Sequence, residues 1–69
     1  MKISDVYPDY VFQRLGAGYR VVAVDFGRQT YVDLSGLTVG ALQLLIARAK
    51  NTGTVKFYQL EEETPDANN

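Results

Sequence analysis

The sequence predicts a single α+β domain with the element order α-β-β-α-β, in which a three-stranded antiparallel sheet packs against one main helix. Residues 19–34 hold two β-branched and aromatic segments around a glycine, a pattern typical of a β-hairpin. Residues 39–51 carry apolar side chains at helical spacing. The chain has 69 residues, which leaves room for one small domain.

The first element is predicted to be a short helix between Pro8 and Leu15. Proline suits the first position of a helix because its missing N–H would have no partner there. Val11 and Leu15 then fall four residues apart on one side, and Gly16 ends the helix. Further upstream, Ser4 is interpreted as the N-cap of a first turn.

A β-hairpin is predicted next, with strands at residues 19–26 and 29–34. Both segments are rich in β-branched and aromatic residues. Gly27 is the first of the two residues between them, which favours a two-residue type II′ turn. The cross-strand pairs predicted from this turn are Phe26 with Gln29, Val24 with Tyr31, and Val22 with Asp33.

The main helix is predicted at residues 39–51, with Thr38 as its N-cap and Gly53 following its last turn. A third strand is predicted at residues 54–60. The simplest sheet places this strand beside the first one, which gives the antiparallel order 2-1-3. The helix then covers one sheet face, and the predicted core under it consists of Val21, Ala23, Val32, Leu34, Val55 and Phe57.

The second face of the predicted sheet is also apolar. A sheet with one solvated face normally alternates between apolar and polar residues. The residues that depart from this rule, and that we interpret as a candidate interface, are Val22, Val24, Phe26, Tyr31 and Tyr58, and Leu60 is left open as a sixth residue of this face. Either the first helix folds across this face, or the face binds another molecule. The sequence leaves both alternatives open.

The charges divide the chain into a domain at residues 1–61 and an acidic tail at residues 62–69. The formal net charge is −1, and four of the eight acidic residues lie at or after Glu61. The tail has Ala67 as its single apolar residue, so we predict that it is disordered.

The composition argues against an enzyme. The chain has no histidine and no cysteine, which excludes an imidazole base, a thiol nucleophile and a zinc finger. Asp25 and Asp33 are the carboxylates expected on the ordered sheet, and the predicted register directs them to opposite faces. A pair of acid–base groups must converge on one site. We therefore predict no catalytic residues, no cofactor and no metal.

No membrane association is predicted either. The longest apolar stretch, residues 37–47, is much shorter than the roughly 20 residues of a transmembrane helix. The N-terminus contains Lys2 but no apolar region of a signal peptide. The expected location is the cytoplasm.

The predicted function is that of a small intracellular binding or regulatory protein that acts through its sheet surface. The expected partner is a second copy of the chain or another protein. A core of this size gives only about 3–5 kcal/mol, and oligomerisation is a common supplement. The strand at residues 29–34 is a predicted sheet edge without lysine or proline to protect it. Substituting Tyr31 with lysine is therefore expected to separate an edge-paired dimer. Short chains without catalytic residues are often accessory proteins of phages or mobile elements, and we expect the same here.

The alternative function is nucleic-acid binding. Aromatic side chains on an open sheet can stack on bases while cations contact phosphates. In this interpretation Tyr31 and Tyr58 stack, and the candidate phosphate contacts are Arg20, Arg28 and Lys56. The two functions differ in whether these three cations surround the tyrosines.

Overall fold

The computed structural model describes residues 2–61 and shows an α+β fold with two helices and one four-stranded antiparallel sheet. The predicted tail at residues 62–69 lies outside the described residues. The strands are β1 (Lys2–Val6), β2 (Arg20–Asp25), β3 (Thr30–Asp33) and β4 (Val55–Glu61). The helices are α1 (Val11–Gly16) and α2 (Val39–Thr52), and short 3₁₀ turns cover Pro8–Tyr10 and Leu34–Gly36.

The sheet order is β1-β4-β2-β3, with every neighbouring pair antiparallel. The three predicted strands adjoin one another in the predicted order, but a fourth strand, β1, lies beyond β4. The interpretation of Ser4 as a helix N-cap is wrong, because Ser4 lies within β1 opposite Gln59. The element order is therefore β-α-β-β-α-β among the described residues.

The connections form two split β-α-β units that interlock. Strands β1 and β2 are both antiparallel to β4, so they run parallel to each other with β4 between them. In the same way β3 and β4 run parallel with β2 between them. The helix of each unit crosses over a strand of the other unit.

The hairpin has the predicted register but a different turn. Val24 lies opposite Tyr31, as predicted, whereas the prediction that Phe26 pairs with Gln29 is wrong. Four residues, 26–29, form the turn, and Phe26 donates its N–H to the Thr54 carbonyl at 2.8 Å. The positive φ lies at Gln29 (55°) and not at the glycine, as a type II′ turn would require.

The carboxylate of Asp25 explains the turn. Its Oδ1 accepts hydrogen bonds from the N–H groups of Gly27 at 3.0 Å and Arg28 at 3.1 Å. This Asx-type arrangement supplies local partners for two backbone donors. Ending the strand pairing at Asp25 and Thr30 makes these bonds possible.

Both helices pack on the same face of the sheet. Val11 of α1 is fully buried in the core that α2 covers. An ion pair between Asp9 and Lys50 also links the first 3₁₀ turn to the last turn of α2. The alternative that the first helix folds across the second face is therefore wrong. The buried core consists of Val6, Val11, Val21, Ala23, Leu34, Leu42, Ala49, Val55 and Phe57, with Val32 packed against it.

Helix α2 has the predicted caps. Thr38 accepts a hydrogen bond from the Ala41 N–H at 3.2 Å. Gly53 follows the last turn with φ 71°, and its N–H donates to the Ala49 carbonyl at 3.0 Å. A left-handed conformation at this position costs glycine less than any residue with a Cβ.

Candidate interaction surface

The sheet face opposite the helices carries the candidate site, which we call the open face. It forms a shallow concavity of about 600 Å³, lined by Ile3, Arg20, Val22, Val24, Tyr31, Tyr58 and Leu60. Four of the five predicted interface residues lie on it together. Phe26 is the exception, because it lies in the hairpin turn and is not part of the lining.

The strand register arranges the open face in three rows, since residues paired across an antiparallel sheet point to the same side. The rows are Ile3–Leu60–Arg20, then Asp5–Tyr58–Val22–Asp33, then Lys56–Val24–Tyr31. Val22 is buried at the centre, whereas Ile3 is 64% exposed and Tyr31 is 61% exposed near the two edges. The apolar surface therefore extends over all four strands.

Charged residues border this apolar surface with equal numbers of each sign. Arg20 forms an ion pair with Asp33, with Nη2 at 2.9 Å from Oδ2 and Nε donating to the same oxygen at 2.9 Å. Asp5 and Lys56 lie diagonally across the neighbouring strands β1 and β4, because Asp5 pairs with Tyr58, two positions after Lys56. The formal charge of these four residues sums to zero.

Asp33 has a second set of partners beside the open face. Its Oδ1 accepts hydrogen bonds from the Ser35 hydroxyl at 2.7 Å and the Ser35 N–H at 3.0 Å. These two bonds, followed by the Arg20 guanidinium, hold the pKa of Asp33 below its ordinary value. The carboxylate thus joins β2, β3 and the following 3₁₀ turn.

This lowered pKa predicts a pH-dependent contribution to stability. Ionised Asp33 stabilises the fold at neutral pH. This contribution is lost as the pH falls from about 4, the pKa of an aspartate in the unfolded chain, through the lower pKa of Asp33 in the folded state. We expect Asp33→Asn to reduce the free energy of unfolding at pH 7 by less than about 1 kcal/mol, because the carboxylate is partly exposed. In urea denaturation at a series of pH values, the difference from wild type should shrink on acidification. A difference that grows would contradict this assignment.

The three predicted phosphate contacts do not surround the tyrosines. Arg20 and Lys56 lie on the open face, but Arg28 lies in the hairpin turn. Arg20 is at the opposite end of the six-residue strand β2 from this turn, roughly 17 Å away along the strand.

Asp25 and Asp33 lie on opposite faces, as the register predicted, but the expectation that they are the carboxylates of the sheet was incomplete, because Asp5 lies on β1 and Glu61 on β4. Asp25 is buried on the helix side, where Oδ2 also accepts a hydrogen bond from Arg48 Nη1 at 3.3 Å. The side-chain bonds of Asp25 given above therefore stabilise the turn or hold helix α2 to the sheet. Across residues 2–61 there is no group of three His, Cys, Asp or Glu residues that could hold a metal ion. No helix in that part of the chain is long and apolar enough to cross a membrane.

No protein-family model matches the chain, and neither a curated protein nor a solved structure shows significant similarity to it. The function must therefore be inferred from the chemistry of the open face.

Among the apolar residues of the open face, Leu60 was left open by the sequence and Ile3 was missing from the prediction. Leu60 lies on the same strand as Tyr58, two positions further on. Ile3 lies on β1, which the sequence did not predict as a strand. Residues 3–6 read apolar, polar, polar, apolar, so they lack the alternation that would have indicated a strand.

Proposed function

We propose that this chain is a non-catalytic binding protein that associates with itself, and that the open face is the interface between two copies. One observation carries the proposal. The open face is apolar over four strands, and among residues 2–61 both helices pack on the other side of the sheet. Uncovered apolar surfaces of this kind mark interaction sites.

The balance of charge supports a second copy as the occupant. Two identical faces with a net charge would repel each other when they meet. Here two acids and two bases border the apolar surface, and Arg20 and Asp33 already neutralise each other. The aromatic and arginine side chains are also the types that are enriched in interfaces.

The small size of the domain gives a reason for self-association. A chain of this length buries a smaller fraction of its surface than a larger domain does. A second open face would cover Tyr31, Ile3 and their neighbours and remove their apolar area from water. Each Å² removed stabilises the complex by about 25 cal/mol. The tail at residues 62–69 cannot supply equivalent contacts, since Ala67 is its single apolar residue.

The test is the molar mass in solution, measured by size-exclusion chromatography with light scattering over a concentration series. Ile3→Lys and Tyr58→Lys place a charge on the open face, and Tyr10→Lys is the matched control because Tyr10 is exposed in the first 3₁₀ turn. We expect a wild-type assembly that either open-face variant weakens by about tenfold or more in Kd, whereas the control does not. A wild-type monomer at every concentration would overturn the proposal, as would unchanged assembly in both variants.

Nucleic-acid binding is the second candidate, since Tyr31, Tyr58, Arg20 and Lys56 share the open face. A fluorescent single-stranded oligonucleotide, titrated at low and high salt, distinguishes the two functions. Affinity that falls steeply with salt would favour this candidate. Absence of oligonucleotide binding by a protein that assembles would favour the first.

A further inference from the structure

A second apolar surface lies beside the sheet edge at β3. It is a groove between α2 and the edge strand, lined by Val32, Leu37, Ala41, Leu44, Leu45 and Arg48. Leu44 is 74% exposed, the largest exposure of a leucine side chain among the described residues. An amphipathic helix normally turns polar residues to solvent, so the exposed apolar side of α2 is unexplained by the single chain.

The edge strand itself is open to pairing. Strand β3 is the last strand of the sheet, bonded to β2 on one side only in the described part of the chain. Its four residues, Thr30–Asp33, include neither lysine nor proline. These are the residues that commonly protect an edge from pairing with another chain.

We propose that the β3 edge and the α2 groove together bind the same edge and groove of a second copy. The two β3 strands would pair antiparallel about a twofold axis perpendicular to the sheet. The four strands of each copy would then form one continuous eight-stranded sheet. This interface is separate from the open face, and it does not depend on the function proposed above.

The geometry of the twofold axis favours a second copy over any other occupant. Antiparallel pairing about this axis keeps the helices of both copies on the same side of the joined sheet. The α2 helix of one copy therefore approaches that of the other along the side that carries Leu44. A single added strand would satisfy the main-chain groups of β3, but it supplies no helix layer to cover Leu44. A second copy supplies a strand and a helix at matching positions.

The charges next to this edge also fit a neutral, identical partner. Arg48 in the groove is bonded to Asp25, and Asp33 on β3 is bonded to Arg20. Both charged side chains therefore form an ion pair with an oppositely charged residue of the same chain. Burying the groove against a copy leaves neither of these charges uncompensated.

The two interfaces can operate in the same particle because they lie on different sides of the molecule. Edge pairing joins two open faces into one surface, and two such surfaces can stack through the interface proposed above. If both interfaces form, the wild-type protein is a tetramer. If only the edge interface forms, it is a dimer.

Light scattering on three variants separates these possibilities. Leu44→Lys places a charge in the groove, Gln43→Lys is its control one residue away on the exposed surface of α2, and Ile3→Lys blocks the open face. We expect Leu44→Lys to halve the mass of the wild-type assembly and Gln43→Lys to leave it unchanged. The double variant Ile3→Lys/Leu44→Lys should be monomeric.

Other outcomes assign success or failure to each interface. A wild-type dimer that Leu44→Lys dissociates and Ile3→Lys leaves intact would support the edge interface and overturn the open-face function. An assembly that Leu44→Lys leaves unchanged would overturn the edge interface.

Amide hydrogen exchange on the Ile3→Lys protein provides a second readout. Protection of outward-facing β3 amides should rise with protein concentration, and it should fall about tenfold on adding Leu44→Lys. Protection independent of concentration would also overturn the edge interface.

Discussion

Replacing Phe57 with alanine is expected to lower the free energy of unfolding by about 3–5 kcal/mol, the usual cost of removing a buried phenylalanine side chain. Phe57 is 2% exposed and lies at the centre of the core, opposite Val6 on β1 and Ala23 on β2. The loss approaches the whole stability of a domain of this size. Urea denaturation followed by far-ultraviolet circular dichroism should show a largely unfolded protein.

The matched control is Phe26→Ala, which removes the same side chain from the hairpin turn. Phe26 is 57% exposed, so this substitution should change the free energy of unfolding by less than about 1 kcal/mol. Similar losses in the two variants would contradict the placement of the core. If Phe57→Ala is unfolded, the milder Phe57→Leu allows the same comparison at a smaller cost.

Replacing Asp25 with alanine is expected to cost about 2–4 kcal/mol, because it leaves two backbone donors and a guanidinium without their acceptor. The donors are the N–H groups of Gly27 and Arg28, and the guanidinium belongs to Arg48. The carboxylate is buried, so water replaces these bonds poorly. Chemical denaturation of the purified variant measures the loss.

Two controls separate the parts of this effect. Asp25→Asn keeps an oxygen that can accept from both N–H groups but loses the charge opposite Arg48, so its cost should lie between those of wild type and the alanine variant. Asp5→Ala removes an exposed aspartate from β1 and should be nearly neutral. Equal stability of Asp25→Ala and Asp5→Ala would show that the turn does not depend on Asp25.

The sequence predicted the elements whose signal is local. The caps at Thr38 and Gly53 and the alternation around Val24 and Tyr31 each depend on neighbouring residues, and the structure confirms them. Strand β1 was missed because its five residues find their partner only in β4, at the other end of the described chain. The predicted turn type was wrong because the Asp25 carboxylate accepts a hydrogen bond from the Gly27 N–H. This interaction outweighs the preference of a glycine at this position for a type II′ turn.

The open face was predictable only in part, for the same reason. Alternation along the hairpin and β4 placed Val22, Val24, Tyr31 and Tyr58 together, and the register agrees. Ile3 could not be placed without β1. Phe26 continues the alternation in sequence, but the pairing of β2 and β3 ends one residue before it. The groove beside β3 was not predicted, because it requires the position of Leu44 relative to the sheet edge.

The most direct test of the open face as an interface between copies is nuclear magnetic resonance on a mixture of isotope-labelled and unlabelled protein. An isotope-filtered experiment detects only contacts between protons of different copies. If two open faces pack together, intermolecular contacts should appear from the Tyr58 and Tyr31 rings to the methyl groups of Val24, Leu60 and Ile3. If the protein is assembled and these residues show no intermolecular contacts, the open face is not the interface.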